Sequence, residues 1–197
     1  MLYRSLVSTL PNIQNNAIQI GSSIIKDSNM PLNTNYKYSW SAHIYTQFEV
    51  GNKAVVGNDE KAKIITGIDV YHADVVGQNL SNQNIYLGHI NEFIFNTIPQ
   101  VNLSDLTVTD LTLCKSSFST SFQNNKWVTY NFDTNFDYNG TKNLILIWED
   151  RSGVISASAS SYCTSTKNAA AYAFNNISFP SGNGVRSNNR LNIKLRF

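Results

Sequence analysis

Residues 126–150, KWVTYNFDTNFDYNGTKNLILIWED, constrain what this chain can fold into more than any other stretch. In its first half Trp127, Thr129, Asn131 and Asp133 alternate with Val128, Tyr130 and Phe132. A period of two sends successive side chains to opposite faces of a strand, so this strand is half buried. Tyr138-Asn139-Gly140-Thr141 follows, with an Asn-Gly pair that tolerates positive φ in a tight turn. Then Asn143-Leu144-Ile145-Leu146-Ile147-Trp148 runs apolar without a break after its first residue. A run of that kind predicts a strand covered on both faces. One half-buried strand beside one fully covered strand points to an antiparallel sandwich, whose sheets bury a face against each other.

The rest of the chain agrees with an all-β reading. Tyr36, Tyr38, Trp40, Ala42, Ile44, Thr46 and Phe48 share one parity and predict a long strand from 36 to 50. Ile64 to His72 predicts another, with Gly67 as a bulge. Further strands are expected at Asn84 to Ile90, Leu111 to Phe118 and Ala169 to Phe174, and at the closing alternation of Leu191, Ile193, Leu195 and Phe197. Gly51 to Lys63 reads as an exposed loop, 91–109 as a long loop with one helical turn, and 151–168 as a loop rich in Ser and Ala over a sheet edge. Residues 1–35, with short apolar pieces split by Pro11 and Asn15-Asn16, read as an extended N-terminal arm. Residues 36–197 then form an antiparallel β-sandwich of jelly-roll type with nine or ten strands.

Composition narrows the function classes. Hydrophobic residues make up 42% of the 197 and aromatics 12%, enough apolar area for a real core. Charged residues reach only 14% against about a quarter in an ordinary domain, and Asn, Ser and Thr take their place on the polar faces. A formal net charge of +2 without a basic cluster argues against nucleic acid, which requires a concentrated basic footprint. No segment has the length and hydropathy of a membrane-spanning helix. The first sixteen residues hold no apolar stretch of signal-peptide length, so the expectation is synthesis in a cytoplasm or a trimmed signal. Cys114 and Cys163 can form one disulfide or none, and their place in β-like segments favours buried free thiols.

Five segments in order resemble a module of long secreted and cell-surface proteins of the Bacteroidota and of proteins of the phages that infect them. Ser41-Ala42-His43-Ile44-Tyr45-Thr46 is similar to that module's SQxIYT, and Ile64-Ile65-Thr66-Gly67-Ile68 follows it. Asn84-Ile85-Tyr86-Leu87-Gly88-His89 is close to xIYLGHT. Trp127-Val128-Thr129 with Phe136-Asp137-Tyr138-Asn139-Gly140-Thr141-Lys142-Asn143-Leu144 resembles GWVTVxLDTPFxYDGTSNLLI, and Arg190-Leu191-Asn192-Ile193 resembles the closing RPNI. The chain departs from the pattern at Asn139, where the module carries Asp, and at Leu191, where it carries Pro. The first departure removes one carboxylate from a calcium site at the turn. The resemblance implies a jelly-roll module. Without the flanking segments of the secreted members, it implies a virion accessory protein, in head, tail, fibre or connector, made in the host cytoplasm. Its expected partners are other virion proteins and further copies of itself. The alternative is a carbohydrate-binding or adhesion module on a bacterial surface.

The chemistry legible in the sequence is sparse. His43, His72 and His89 are the only histidines and none lies at metal-ligand spacing from another or from a cysteine, so His89 reads as hydrogen-bonded at a strand end. No G-x-S-x-G elbow is present. The acids include no motif that marks a glycosidase pair, since such pairs meet only in space. The chain is therefore expected to be non-enzymatic and to need no cofactor, with one opening for calcium at Asp133 and Asp137, which flank the turn. Exposed Trp would stack on sugar rings while Asn and Gln bond hydroxyls, which makes Trp40 and Trp127 the candidate ligand-binding residues for a cell-surface glycan. Trp148 ends the apolar run and is expected in the core.

Overall fold

The computed structural model describes residues 17–51, 63–75, 79–95, 101–181 and 184–197. Within them the chain forms eleven strands: β1 (Ala17–Ile20), β2 (Ile25–Asp27), β3 (Tyr38–Tyr45), β4 (Lys63–Val75), β5 (Gln83–Ile90), β6 (Thr109–Phe118), β7 (Lys126–Tyr138), β8 (Asn143–Asp150), β9 (Ala159–Asn175), β10 (Val185–Leu191) and β11 (Ile193–Arg196). Helical structure among the described residues is confined to α1 (Gln47–Gly51) and a 3-10 turn at Leu103–Asp105. The named strands pair antiparallel throughout, as the alternation and the short connections require.

Two layers face each other. One runs β1-β11-β4-β7 and the other β6-β5-β8-β3, and β9 joins them. The first part of β9 lies beside β4 and β2, and its second part beside β3. Ile18, Ile68, Val128 and Ile193 from the first layer meet Tyr45, Ile85, Leu146 and Trp148 from the second in a common core. A second core lies on the far side of the second layer. There Trp40, Ala42, Ile44, Ile145 and Ile147 pack against Phe95 and Val101, with Leu103, Leu106, Val108 and Phe179 around them. The continuous apolar run of β8 is thereby explained. Leu144, Leu146 and Trp148 enter the first core and Ile145 and Ile147 the second, so each side of the strand has apolar company and all eight residues are buried.

The segments that cover the second core are tied down by backbone. Val101 and Gly184 exchange two hydrogen bonds of 2.9 and 2.6 Å, and the Phe95 N–H donates to the Asn168 carbonyl at 2.8 Å. Gly184 is required by that approach, because a Cβ there would collide with the Trp40 ring and lie 2.8 Å from the Tyr172 carbonyl oxygen. Gly67 is the bulge the sequence predicts: the β4–β7 register shifts between Ile65 and Gly67, which puts Ile65 and Ile68 on the same side despite their spacing.

Three expectations change. Residues 17–35 are not a separate arm. β1 pairs with β11 from Ala17↔Arg196 to Ile20↔Ile193, β2 pairs with β9, and Met30 and Leu32 are buried in the first core. The short apolar pieces that read as an arm each add a strand of three or four residues to the larger sheet; residues 1–16 lie outside the described residues. The strand at 36–50 ends at Tyr45, since Thr46 and Glu49 form a capping box that starts α1. The Thr46 N–H donates to Glu49 Oε2 at 2.9 Å, and the Glu49 N–H to Thr46 Oγ1 at 3.3 Å. The loop expected at 151–168 is strand from Ala159 onward. Its small side chains suit a segment with β4 on one edge and β2 on the other, where Ser161 is buried. Most of the loop expected at 51–63 lies outside the described residues.

Cys114 and Cys163 are free and buried in the first core, where burial pushes the Cys114 thiol up to about 11 and raises Cys163 as well. Both are thiols of low reactivity. No helix among the described residues is long and apolar enough to cross a membrane.

Candidate functional site

The first layer keeps its outer face open, and that face carries three half-buried aromatic residues in a row. Trp127 on β7 is the direct partner of Tyr71 on β4. Tyr71 in turn contacts Tyr162 on β9, and Tyr162 is the direct partner of Lys26 on β2. The three rings form a row across three strands. Tyr71 and Trp127 stack with centroids 4.9 Å apart and planes 12° apart, and Tyr71 and Tyr162 lie 4.6 Å apart with planes tilted by 39°. Cross-strand aromatic pairs of this kind hold one another upright on a sheet. The Tyr162 hydroxyl donates to Asn125 Oδ1 at 2.9 Å, which fixes the far end of the row.

A second row crosses the same face one step along the strands. Lys194 on β11 pairs with Asp69 on β4, and Asp69 with Thr129 on β7. The Lys194 ammonium sits 4.3 Å from the centroid of the Trp127 ring, a cation–π contact. Arg196 sends one Nη1 to both oxygens of Asp69, at 3.1 and 3.2 Å, and the Asp69 side chain is 7% exposed. Lys26 holds Asp74 at 2.9 Å, and that hydrogen bond raises the lysine above its ordinary value. Thr129 and Asn131 continue the parity of Trp127 with exposed hydroxyl and amide groups. The face thus offers ring surface, neutral hydrogen-bonding groups and fixed charge side by side.

Trp40, the other candidate, cannot serve a ligand. It is 1% exposed in the second core under Gly184, and its Nε1 is buried without a hydrogen-bond partner. The sequence parity placed Trp40 with Tyr36 and Tyr38 but could not show that both faces of β3 are covered. Trp148 is core, as expected, with its Nε1 donating to Gln83 Oε1 at 3.0 Å.

The Asp133 and Asp137 carboxylates stand on the exposed side of β7. Asp133 is engaged by the Ser116 N–H at 3.2 Å and by Lys115 Nζ at 3.4 Å, and the Ser116 bond leads the lowering of its carboxyl. This explains Asp133 as a clamp between β6 and β7. Among the described residues no three His, Cys, Asp or Glu side chains are grouped to hold a metal ion. Asn139 does the work of the turn, its Oδ1 accepting from the Thr141 and Lys142 N–H groups at 2.9 and 3.1 Å.

The histidines are all committed. The Asn139 N–H donates to His89 Nε2 at 3.1 Å, so the ring carries its proton on Nδ1 and gives it to Asp110 Oδ2 at 3.2 Å. The Leu191 N–H points to His43 Nδ1 at 3.4 Å. His43 Nε2 donates to Ser41 Oγ at 3.0 Å, and that hydroxyl donates to the Pro31 carbonyl at 2.6 Å. His72 lies between Ser161 Oγ and the Tyr130 hydroxyl, both at 3.0 Å.

Sequence reasoning found Trp127 but not Tyr71, Tyr162 or Lys194. Tyr71 shares the outward parity of Asp69 and was available as a signal. Tyr162 stood in a segment read as loop, and Lys194 reaches Trp127 only through the β11–β4–β7 register. No protein family, no curated protein and no solved structure matches the chain.

Proposed function

We propose that this chain is a non-enzymatic accessory module of a phage virion, built on a jelly-roll sandwich, whose open outer face holds a glycan of the host surface. The observation that carries the binding part is the row Trp127–Tyr71–Tyr162, half buried on an open sheet face and bordered by Thr129, Asn131, Asn125 and Lys194. Sugars present C–H faces to aromatic rings and hydroxyls to amides and hydroxyls, and a sheet holds such groups at fixed spacing. The virion placement is supported by the sequence resemblance. The non-enzymatic part is supported by the way potential catalytic groups are spent. His89 Nε2 accepts a backbone N–H, and Glu149, Glu49 and Asp69 are paired with Arg151, Arg190 and Arg196.

The test uses the full-length protein on immobilised envelope polysaccharide from the host. Retention is expected for the parent and its loss for Trp127→Ala, with solution mass unchanged and the thermal midpoint lowered by about 4 °C at most. Retention of the variant at parental strength would remove the binding part. Mass spectrometry of purified particles tests the placement, and absence of the chain from intact virions overturns it.

A further inference from the structure

Around the aromatic row the charges do not balance. Lys26 is taken by Asp74 and Arg196 by Asp69, and both carboxylates are thereby used. Lys194 remains, partly exposed, with its ammonium over the Trp127 ring and no carboxylate partner among the described residues. An ammonium on an aromatic face is held in place by the ring quadrupole yet keeps its other donors free. We infer that the face selects an acidic saccharide, with a sugar carboxylate on Lys194 and the ring of the same or the next residue against Trp127. This rests on the glycan reading above and names the class of glycan.

Arg196, the arginine on this face among the described residues, is engaged at Nη1 by both oxygens of Asp69, which leaves the Lys194 ammonium as the cation beside the stacking ring. A single free ammonium suits a single carboxylate. Asp69 would repel that carboxylate if it were unpaired, and Arg196 offsets this charge. The arrangement is therefore consistent across its parts: two ion pairs are closed and one cation beside the best stacking ring is open.

The experiment uses the full chain and a panel of polyuronates (polygalacturonate, alginate and hyaluronan), each paired with its carboxyl-reduced form, which keeps the backbone and removes the charge. Affinity is measured by calorimetry at low and moderate salt. At least one polyuronate is expected to bind roughly tenfold or more tightly than its reduced form, with the preference shrinking as salt screens the pair. Lys194→Gln is expected to bring that ratio near one while leaving binding to the reduced form, and Trp127→Ala to weaken both. Equal binding of acidic and reduced forms, or a preference that survives Lys194→Gln, overturns the acidic selection and leaves the glycan reading intact. Binding of neither form by a protein of unchanged thermal midpoint overturns both.

Discussion

The two layers of the sandwich present opposite outer faces. On the second layer, Trp40, Ile44, Ile145 and Ile147 are covered by Phe95, Val101, Leu103, Leu106, Val108 and Phe179, with Val101 bridged to Gly184. On the first, Trp127, Tyr71 and Tyr162 stand in a row with solvent on one side. Both faces carry a tryptophan in an antiparallel strand. The difference is that the outward parity of β3 continues apolar after Trp40, with Ala42 and Ile44, whereas that of β7 continues after Trp127 with Thr129 and Asn131, so the fold has to supply a cover for the first and none for the second. A face left open with aligned rings and a free cation is available for a ligand; a roofed one contributes stability alone.

The largest expected effect follows directly. Trp40→Ala empties the second core and leaves its roof without a partner, which should destabilise by about 3–5 kcal/mol. Chemical denaturation at neutral pH measures it. A loss below about 1 kcal/mol would mean that the roof closes over the space or was never stabilising, and the contrast between the faces would fail.

How much of this contrast was legible before the structure depends on which residues are asked about. β8 and β7 could be told apart from sequence, because continuous apolar character and strict alternation are local signals, and Val128 and Tyr130 point inward as their parity requires. β11 was equally clear from Ile193 and Leu195. The roof was not legible. Residues 101–108 have no period, and they are placed by the Val101–Gly184 bridge, far away in the chain, and by the packing of Leu103, Leu106 and Val108 on the second core. Nor was the role of 17–35, since a three- or four-residue strand has too few positions for a period to appear. At the candidate site, Trp127 was readable as one residue. Its neighbours are set by register across β7, β4, β11 and β9, and register is a property of the fold and not of any one segment.

Acid should attack the core shared by the two layers and neither outer face. His43 and His72 are fully buried and face the first core, and burial holds them down to about 3 and about 4 respectively, with the Arg190 charge adding to the effect at His43. Each is neutral in the folded chain, whereas the unfolded chain takes up a proton near pH 6.5. Their contribution is therefore complete above that pH and falls as pH drops through 6 toward 4, by about 1.4 kcal/mol per pH unit for each ring. Protonating His43 Nδ1 would set it against the Leu191 N–H that now donates to it. Two other groups facing the interior matter at lower pH. Glu49, drawn down by Arg190 and Thr46 against the upward push of burial, loses its contribution as pH falls through its depressed value. Asp150, pushed up by burial, works the other way and becomes less costly when protonated. Denaturation at pH 7, 6 and 5 should show a steady loss, halved in slope by replacing either His43 or His72 with Gln. A flat profile over that range would mean that the rings do not stay neutral in the first core.

The smallest effect is the one that decides what the open face is for. If the aromatic row exists mainly to hold β7, β4 and β9 together, Trp127→Ala should approach Trp40→Ala in its effect on stability. If it is a recognition surface on a sheet already held by its ladder and its first core, Trp127→Ala should remove about 1 kcal/mol or less. A double-mutant cycle with Tyr71→Ala isolates the stacking of the two rings, for which about 0.5–1.5 kcal/mol is expected. Coupling in that range with a small single-mutant loss fits rings that brace one another for a ligand. A single-mutant loss near 3 kcal/mol would make Trp127 a structural residue that happens to see solvent. The glycan reading would then lose its anchor even if the chain were found on a virion.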